Sequence, residues 1–179
     1  MLKLIYLDID GVLNSQDNGD MLFLDFCFRN NIEDCHFITN EIANKYNDGI
    51  YKDQYGVLFD ERCVGWLKYI IDLTEASIVI SSDWKKKGLI ELRQMWADRN
   101  LPGDVVDIIP VVNKKHYSES LEENRVRAIK QHLDGVMSAR WAVIDDMNLN
   151  INNFVNTNPD YGLNRLNSLK TIKILNNEN

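Results

Sequence analysis

Cysteine is scarce in this sequence: its 179 residues contain three, namely Cys27, Cys35 and Cys63. The number is odd, and no two of them form a Cys-x-x-Cys pair. Disulfide frameworks use even sets of cysteines and structural zinc sites use closely spaced ones, so the pattern argues against both. We expect three reduced, mostly buried thiols.

Long hydrophobic runs are also lacking. Runs such as Leu4–Leu7 and Ile78–Ile80 are much shorter than the roughly 20 apolar residues that a membrane-spanning helix needs. The N-terminus has one lysine and then an immediate strand-like run, unlike a secretory signal peptide. We therefore expect a cytoplasmic protein that has no membrane association and no obligate protein partner.

Positive charge is in short supply. The chain has 20 Lys and Arg residues against 27 Asp and Glu residues, which gives a net charge of −7. Proteins that coat nucleic acid are usually basic, so the balance argues against that function but allows a local basic pocket. Two local basic runs are present, Lys85–Lys87 and Lys114–His116. Taken alone, such runs are typical of a solvated surface.

What the chain has is an alternation of apolar runs and amphipathic segments. The runs typical of buried strands are Leu4–Leu7, Ser77–Ile80, Val105–Val112, Trp141–Ile144 and Phe154–Val155. Apolar residues at helical spacing lie between them, including a helix capped by Asp60, one capped by Asn124 and a last one with Leu166, Leu169 and Ile172. The alternation predicts one α/β domain, residues 1–179, with a parallel sheet.

Residues 15–56 interrupt this pattern. The segment is irregular and rich in Asn and Asp, with aromatic residues between them. It is too long for a loop without structure of its own. We interpret it as a cap or lid inserted within the single domain.

Polar residues follow three of the predicted strands. Asp8 and Asp10 come after the first, Ser81 and Ser82 after the second, and the pair 145–146, both Asp, after the fourth. Because the carboxyl ends of parallel strands share one edge of a sheet, these side chains are expected to meet in a crevice there.

The chemistry of this set favours phosphoryl transfer. Clustered carboxylates would repel one another and a phosphate, so a cation is required, and Mg²⁺ prefers carboxylates together with phosphate oxygens. One carboxylate can act as a nucleophile, and a second one two residues later can protonate the leaving oxygen and then activate water. The hydroxyl of Ser82, together with backbone N–H groups, can hold the phosphate oxygens.

The set resembles the four motifs of the haloacid dehalogenase (HAD) superfamily, whose first motif is D-x-D-G-[VT]-[LI]; here residues 8–13 read DIDGVL. The resemblance implies that Asp8 is the nucleophile and Asp10 the general acid/base. It also implies a Rossmann-like sheet with a small cap after the first strand. Mg²⁺ would be held by Asp8, by Asp10 through its backbone carbonyl, and by the fourth motif, Asp145 and Asp146.

The second and third motifs bind phosphate in that superfamily. The second motif aligns best with Ser82, with Ser81 as the alternative. The third is a Lys or Arg near a helix start, for which Arg125 fits best. The alternatives are Lys114, Lys115 and Lys130.

A closer resemblance is to the HAD branch of Swiss Army Knife RNA-repair proteins. It rests on LDIDGVLN at residues 7–14, IVISSDWK at residues 78–85 and GLN at residues 162–164. That branch tends to have a Ser-Ser-x-Trp-Arg second motif; here Lys85 replaces the Arg and Asp83 adds a negative charge, while Trp84 is interpreted as a packing residue.

The resemblance implies a phosphatase acting on a polynucleotide terminal phosphate or a nucleotide. The acidic net charge and Asp83 favour a nucleotide or a small phosphorylated metabolite over a polynucleotide. A third alternative, from another class, is a non-catalytic module that keeps the fold for binding.

Overall fold

Five parallel strands form one sheet at the centre of the molecule. The computed structural model describes residues 1–32, 51–113, 117–136 and 138–177. The strands of the main sheet are β1 (Leu2–Leu7), β4 (Ser77–Ile80), β5 (Val105–Ile108), β6 (Ala139–Asp145) and β7 (Phe154–Asn156). Their order in the sheet is β5-β4-β1-β6-β7, and a separate two-stranded hairpin pairs β2 (Lys52–Asp53) with β3 (Gly56–Val57). The predicted α/β fold with a parallel sheet is therefore confirmed.

Strand β1 lies at the centre of this sheet, between β4 and β6. Leu7 pairs with Ile80 on one side and with Ile144 on the other. Helices cover both faces of the sheet, which is why β1 reads as a continuous apolar run rather than an alternating one. The three inner strands consequently end side by side, at the same edge.

Helices pack on the two faces unequally. The helices are α1 (Gln16–Arg29), α2 (Glu61–Thr74), α3 (Leu89–Asp98), α4 (Leu121–Asp134) and α5 (Arg165–Asn176). The core on one face contains residues from α2, α3 and α5, including Leu67, Met95 and Leu175. The other face is covered by α4, through Ala128 and Ile129.

The predicted helix starts are confirmed in one case and wrong in another. Asp60 caps α2 by accepting a hydrogen bond from the backbone N–H of Arg62 at 2.9 Å. Asn124, in contrast, lies inside α4, which begins earlier with Ser120 and Glu123 in a reciprocal capping box. Arg125 therefore lies in the second turn of this helix and not at its start.

Two further expectations differ in detail. Strand β5 ends at Ile108, four residues before the predicted end. The last helix forms where predicted, but Leu166 and Leu169 are exposed, and its buried positions include Thr171 and Leu175 instead.

The inserted segment 15–56 lies only partly within the described residues. It contains α1 and the hairpin of β2 (Lys52–Asp53) and β3 (Gly56–Val57), and residues 33–50 between them lie outside the description. Ser15, which caps α1, donates its hydroxyl to Asp60 at 2.9 Å and so joins the insertion to α2. That the segment acts as a cap stays a prediction. In the ranges that the structure describes, no helix has the length and apolar character that crossing a bilayer requires.

Candidate active site at the carboxyl edge of the sheet

Backbone hydrogen bonds continue the sheet one residue beyond the ends of the inner strands. The N–H of Asp8 donates to the carbonyl of Ile144 at 3.0 Å, and that of Ser81 donates to Leu7 at 2.9 Å. The first polar residue after each strand is therefore fixed by the sheet itself.

Three carboxyl groups converge at this edge. Asp8, Asp145 and Asp146 each offer one oxygen atom, and these oxygens lie within 4.8 Å of one another. Asp8 and Asp145 are buried, and Asp146 is half-buried. Burial, reinforced by the charge of Asp8, raises the pKa of Asp145 to about 7 and also raises that of Asp146. Together the three groups supply the hard oxygen ligands that Mg²⁺ binds.

Arg125 reaches into this group from α4. Its Nη1 donates to Asp8 Oδ2 at 2.5 Å and to Asp145 Oδ2 at 2.7 Å. Burial opposes the charge of the guanidinium, but Asp8 and Asp145 outweigh it and raise the pKa of Arg125. One cation thus faces two buried carboxylates, which leaves the group with an excess of negative charge.

The serine hydroxyls of the predicted second motif are buried and unbonded. Ser81 is 0% exposed and Ser82 is 1% exposed. Neither Oγ has a hydrogen-bond partner among the residues that the structure describes, and Ser82 does not cap the 3₁₀ helix Asp83–Lys87 that follows it. A buried hydroxyl without a partner is costly for a fold. These two are free to bind the oxygens of a ligand.

Asp10 is separate from the three-carboxylate group. Its side chain is exposed, its Oδ1 accepts a hydrogen bond from Asn14 Nδ2 at 3.1 Å, and its Oδ2 accepts one from Trp84 Nε1 at 2.9 Å. The prediction that Asp10 contributes its backbone carbonyl, and not its carboxylate, to a metal is compatible with this arrangement. Trp84, interpreted from sequence as a packing residue, also makes a polar contact at the site.

The glycine of the first motif allows two acidic loops to approach each other. Gly11 has φ +72, and a Cβ placed on it would lie 2.5 Å from Oδ2 of Asp146. Thr157 donates its hydroxyl to the carbonyl of Gly11 at 2.9 Å, and Asn156 donates its amide to the carbonyl of Asp146 at 2.9 Å. Any side chain at position 11 would therefore displace the side chain of Asp146.

The segment Gly162-Leu163-Asn164 packs against the loop that follows β1. The N–H of Leu163 donates to the carbonyl of Val12 at 2.8 Å, and Asn164 caps α5. Gly162 has φ +65, and a Cβ there would lie 2.7 Å from the carbonyl oxygen of Val12. This segment is part of the first-motif support and contributes no reactive group.

Lys85 is a site residue that the sequence interpretation missed. Its side chain is only 12% exposed, whereas those of Lys86 and Asp83 are 68% exposed. Burial lowers the pKa of Lys85, while the charge of Asp83, whose Oδ1 lies 3.8 Å from the Nζ of Lys85, opposes this effect. Arg125 and, more weakly, Asp8 also act on Lys85. The position of Lys85 after the Ser-Ser-Asp-Trp sequence was the available signal. Asp83 is offset by Lys86, whose Nζ donates to it at 2.9 Å.

The other candidates for the third motif are less well placed or lie outside the description. Lys130 is exposed, and it lines a cavity of about 940 Å³ beside α4 together with Glu122 and Glu123. Lys114 and Lys115 lie outside the described residues. This cavity contains none of the three convergent carboxylates, and its acidic lining does not suit a phosphate. Among the candidates within the described residues, Arg125 is therefore the one that contacts the three-carboxylate group.

Comparison with known proteins matches most of the chain to one family. A family model described as the HAD domain in Swiss Army Knife RNA repair proteins matches residues 4–167, which include every predicted site residue. No curated protein and no solved structure matches the chain.

Proposed function

The chain belongs to the family of HAD domains in Swiss Army Knife RNA repair proteins, and from this premise we propose that it is a magnesium-dependent phosphatase. The observation that carries the proposal is the convergence of Asp8, Asp145 and Asp146 beside two buried, unbonded serine hydroxyls. Buried carboxylates that lie this close together destabilise a fold unless a cation binds between them. Their convergence therefore supports a site that binds a cation together with an anionic substrate.

A divalent cation fits this donor set. Asp8, Asp145 and Asp146 would hold it, since their oxygens are close together and since burial, together with the charge of Asp8, raises the pKa of Asp145. When bound, Mg²⁺ supplies positive charge that neutralises the carboxylates and the phosphate oxygens.

The phosphate group would be held by Ser82 and Ser81 through their hydroxyls and by Arg125 and Lys85 through their charge. Arg125 bridges Asp8 and Asp145, and this contact with the proposed nucleophile supports a role in binding the phosphate. Lys85 adds a second, mostly buried cation nearby. Fixed donors of this kind stabilise the charge on a transferring phosphoryl group.

The reaction proceeds in two steps on the side chains of the first motif. Asp8 attacks phosphorus through a carboxylate oxygen, the bond from phosphorus to the ester oxygen breaks, and Asp10 gives its proton to the departing oxygen. A water molecule then attacks the phosphorus of the aspartyl phosphate and gives a proton to Asp10. Inorganic phosphate leaves, and Asp8 is regenerated as a carboxylate.

For the substrate we propose a terminal phosphate of a polynucleotide, or a nucleotide. Support comes from the family description, which names RNA repair proteins, and from the pairing of Asp83 with Lys86, which offsets the acid closest to the serines. The net charge of −7 supports a small phosphorylated metabolite as the alternative. A non-catalytic binding module is the alternative from another class, but binding alone does not require Asp10.

A phosphate-release panel tests these alternatives. The substrates are oligonucleotides with a 3′ or a 5′ phosphate, nucleoside monophosphates, sugar phosphates and an aryl phosphate, each with Mg²⁺ and with a chelator. We expect release that requires Mg²⁺, with kcat/KM highest for an oligonucleotide end or a nucleotide. Release from sugar phosphates alone would select the metabolite alternative, and no release from any substrate would select the binding module.

A further inference from the structure

The contact between Trp84 and Asp10 links two motifs that are 74 positions apart. Both oxygens of the Asp10 carboxylate accept a side-chain hydrogen bond, one from Asn14 and one from the indole N–H of Trp84. An indole N–H only donates, so it fixes a carboxylate oxygen without competing for a proton. Asn14 is a local neighbour of Asp10 in the chain, whereas Trp84 follows β4, the strand that pairs with β1.

Trp84 is itself held in place. It lies in the 3₁₀ helix directly after Ser82, so the segment that carries the phosphate-binding serines also carries this ring. The ring of Phe59 packs against it, with centroids 5.6 Å apart and an angle of 61° between the ring planes. The guanidinium of Arg99 lies over the ring of Phe59, 4.5 Å from its centroid. A ring packed in this way has little freedom, which suits a group that must fix another one.

We propose that Trp84 is a positioning residue that acts through Asp10. It holds the Asp10 carboxylate in the orientation from which it exchanges a proton with the ester oxygen and then with water. The inference rests on the proposed phosphatase function. It goes beyond that function because it gives a role to Trp84, which is neither the nucleophile, the general acid/base nor a ligand of the metal or the phosphate. General acid–base catalysis depends on placement within hydrogen-bond reach, and a displacement of about 1 Å can cost about 100-fold in rate.

A packing role and a positioning role predict different kinetics for Trp84→Phe, which keeps a ring but removes the N–H. The relevant rate is single-turnover release of the leaving group, measured with Mg²⁺ present. Phenol leaves poorly without a proton, whereas 2,4-dinitrophenol leaves as an anion. A positioning role predicts a loss of roughly 10- to 100-fold with phenyl phosphate and of less than about 3-fold with 2,4-dinitrophenyl phosphate. Equal losses with both substrates would overturn the proposal.

The double variant with Asp10→Asn sharpens this test. If Trp84 acts through Asp10, adding Trp84→Phe to Asp10→Asn changes the phenyl phosphate rate by less than about 2-fold, because the group being positioned is already gone. If the loss in the double variant equals the product of the two single-variant losses, Trp84 acts independently of Asp10, and the proposal is overturned. Trp66→Phe is the matched control: Trp66 is half-buried in α2, packs against Tyr69, and is expected to leave both rates unchanged.

A second substitution covers the case in which the phenylalanine variant fails to fold. Benzothienylalanine at position 84 replaces the indole N–H by sulfur and keeps the shape of the ring. The expected loss with phenyl phosphate is the same as for Trp84→Phe. Wild-type rates in this protein would overturn the proposal, since only the hydrogen bond is absent.

An NMR measurement tests the hydrogen bond between Trp84 and Asp10 independently of the proposed phosphatase function. The resonance that disappears in Trp84→Phe identifies the indole N–H of Trp84. In Asp10→Asn we expect it to shift, while those of Trp66, Trp96 and Trp141 keep their positions. An unshifted resonance would refute the contact whatever the activity. A shifted resonance in a protein that hydrolyses no phosphate ester would instead refute the phosphatase function, and with it a catalytic use of the contact.

Discussion

Arg99 and Arg125 are both mostly buried and both form ion pairs with aspartate, but only Arg99 has a single carboxylate partner. Arg99, just after α3, has a side chain that is 6% exposed and donates from Nε and Nη2 to the two oxygens of Asp53 at 2.8 and 2.7 Å. Its hydrogen bonds hold the pKa of Asp53 below the ordinary value. Although Nη1 of Arg99 lacks a partner in the described part of the chain, the pair is neutral. It joins the β2–β3 hairpin to the core.

Arg125 shows the opposite arrangement. One of its nitrogens is shared by Asp8 and Asp145, and the pKa of Asp145 is raised to about 7 in spite of that cation. The hydroxyls of Ser81 and Ser82 have no partner among the described residues. The charges of the Arg99 pair balance without a ligand, whereas the nitrogen of Arg125 is shared by two buried carboxylates and two buried hydroxyls beside them are unbonded. That difference separates a structural ion pair from a candidate active site.

The largest effect is expected from changing the aspartate that each arginine binds. Asp8→Asn removes the proposed nucleophile, so Mg²⁺-dependent turnover of 4-nitrophenyl phosphate should fall by at least about 1,000-fold while the fold survives. Asp53→Asn should keep turnover within about 3-fold and lower the free energy of unfolding by about 1 kcal/mol. Turnover assays and urea denaturation measure the two quantities. Substantial Mg²⁺-dependent activity in Asp8→Asn would contradict the mechanism.

The second-largest effects are expected from replacing each arginine by alanine. Arg125→Ala should lower kcat/KM by about 100- to 1,000-fold, because a fixed donor to the transferring phosphoryl group is lost. Arg99→Ala should lower the free energy of unfolding by about 2–4 kcal/mol, since Asp53 loses its partner and Phe59 its packing. The folded fraction of Arg99→Ala should retain nearly full kcat/KM. If the two variants lost activity equally, the distinction between the arginines would be wrong.

The two sites also differ in the sign of their pH dependence. The folded-state pKa of Asp145 is about 7, against about 4 in an unfolded chain. Between these values the metal-free folded protein binds more protons than the unfolded chain, so its free energy of unfolding falls as pH rises. The pKa of Asp53 is lowered, so its contribution is complete above about pH 4 and is lost only below it.

We expect the metal-free protein to lose about 1–3 kcal/mol of unfolding free energy between pH 5 and pH 8. Urea denaturation in a chelating buffer measures this loss. Saturating Mg²⁺ should remove most of it, because the cation compensates the ionised carboxylates. Asp145→Asn is the control that should flatten the profile without metal. If the free energy of unfolding rose between pH 5 and pH 8, and Asp145→Asn left this change unaltered, ionisation of Asp145 would not be its cause.

The smallest effect concerns hydroxyl groups. Ser82→Ala should lower kcat/KM by about 10-fold but change the free energy of unfolding by less than about 0.5 kcal/mol, because its Oγ has no partner in the described residues. Ser15→Ala should show the reverse, a loss of about 1 kcal/mol of stability with nearly unchanged activity, because Ser15 caps α1 and donates to Asp60. Equal stability losses in both variants would show that Ser82 has a structural partner.

The sheet and the meeting of its polar strand ends follow from sequence for a geometric reason. Parallel strands buried on both faces read as unbroken apolar runs, and their carboxyl ends share one edge. Asp8, Ser82 and Asp145 were therefore predictable as neighbours. The prediction that Asn124 caps α4 is wrong, although Ser120 and Glu123 have the spacing of a capping box.

Other features depend on packing between distant segments. Lys85 reads as part of an exposed basic run, and only its 12% side-chain exposure separates it from Lys86. Trp84 reads as a packing residue because its polar partner, Asp10, is 74 positions away. The exposure of Leu166 is set by how α5 lies against α2, which helical spacing alone does not determine.

Trapping of the reaction intermediate tests the central claim most directly. The protein is mixed with Mg²⁺ and an oligonucleotide bearing a ³²P-labelled terminal phosphate, quenched in acid during turnover and digested with a protease. The account predicts one labelled peptide, containing Asp8, whose label hydroxylamine releases as it does from an acyl phosphate. Turnover without a labelled protein, or a label on a peptide that lacks Asp8, would contradict it.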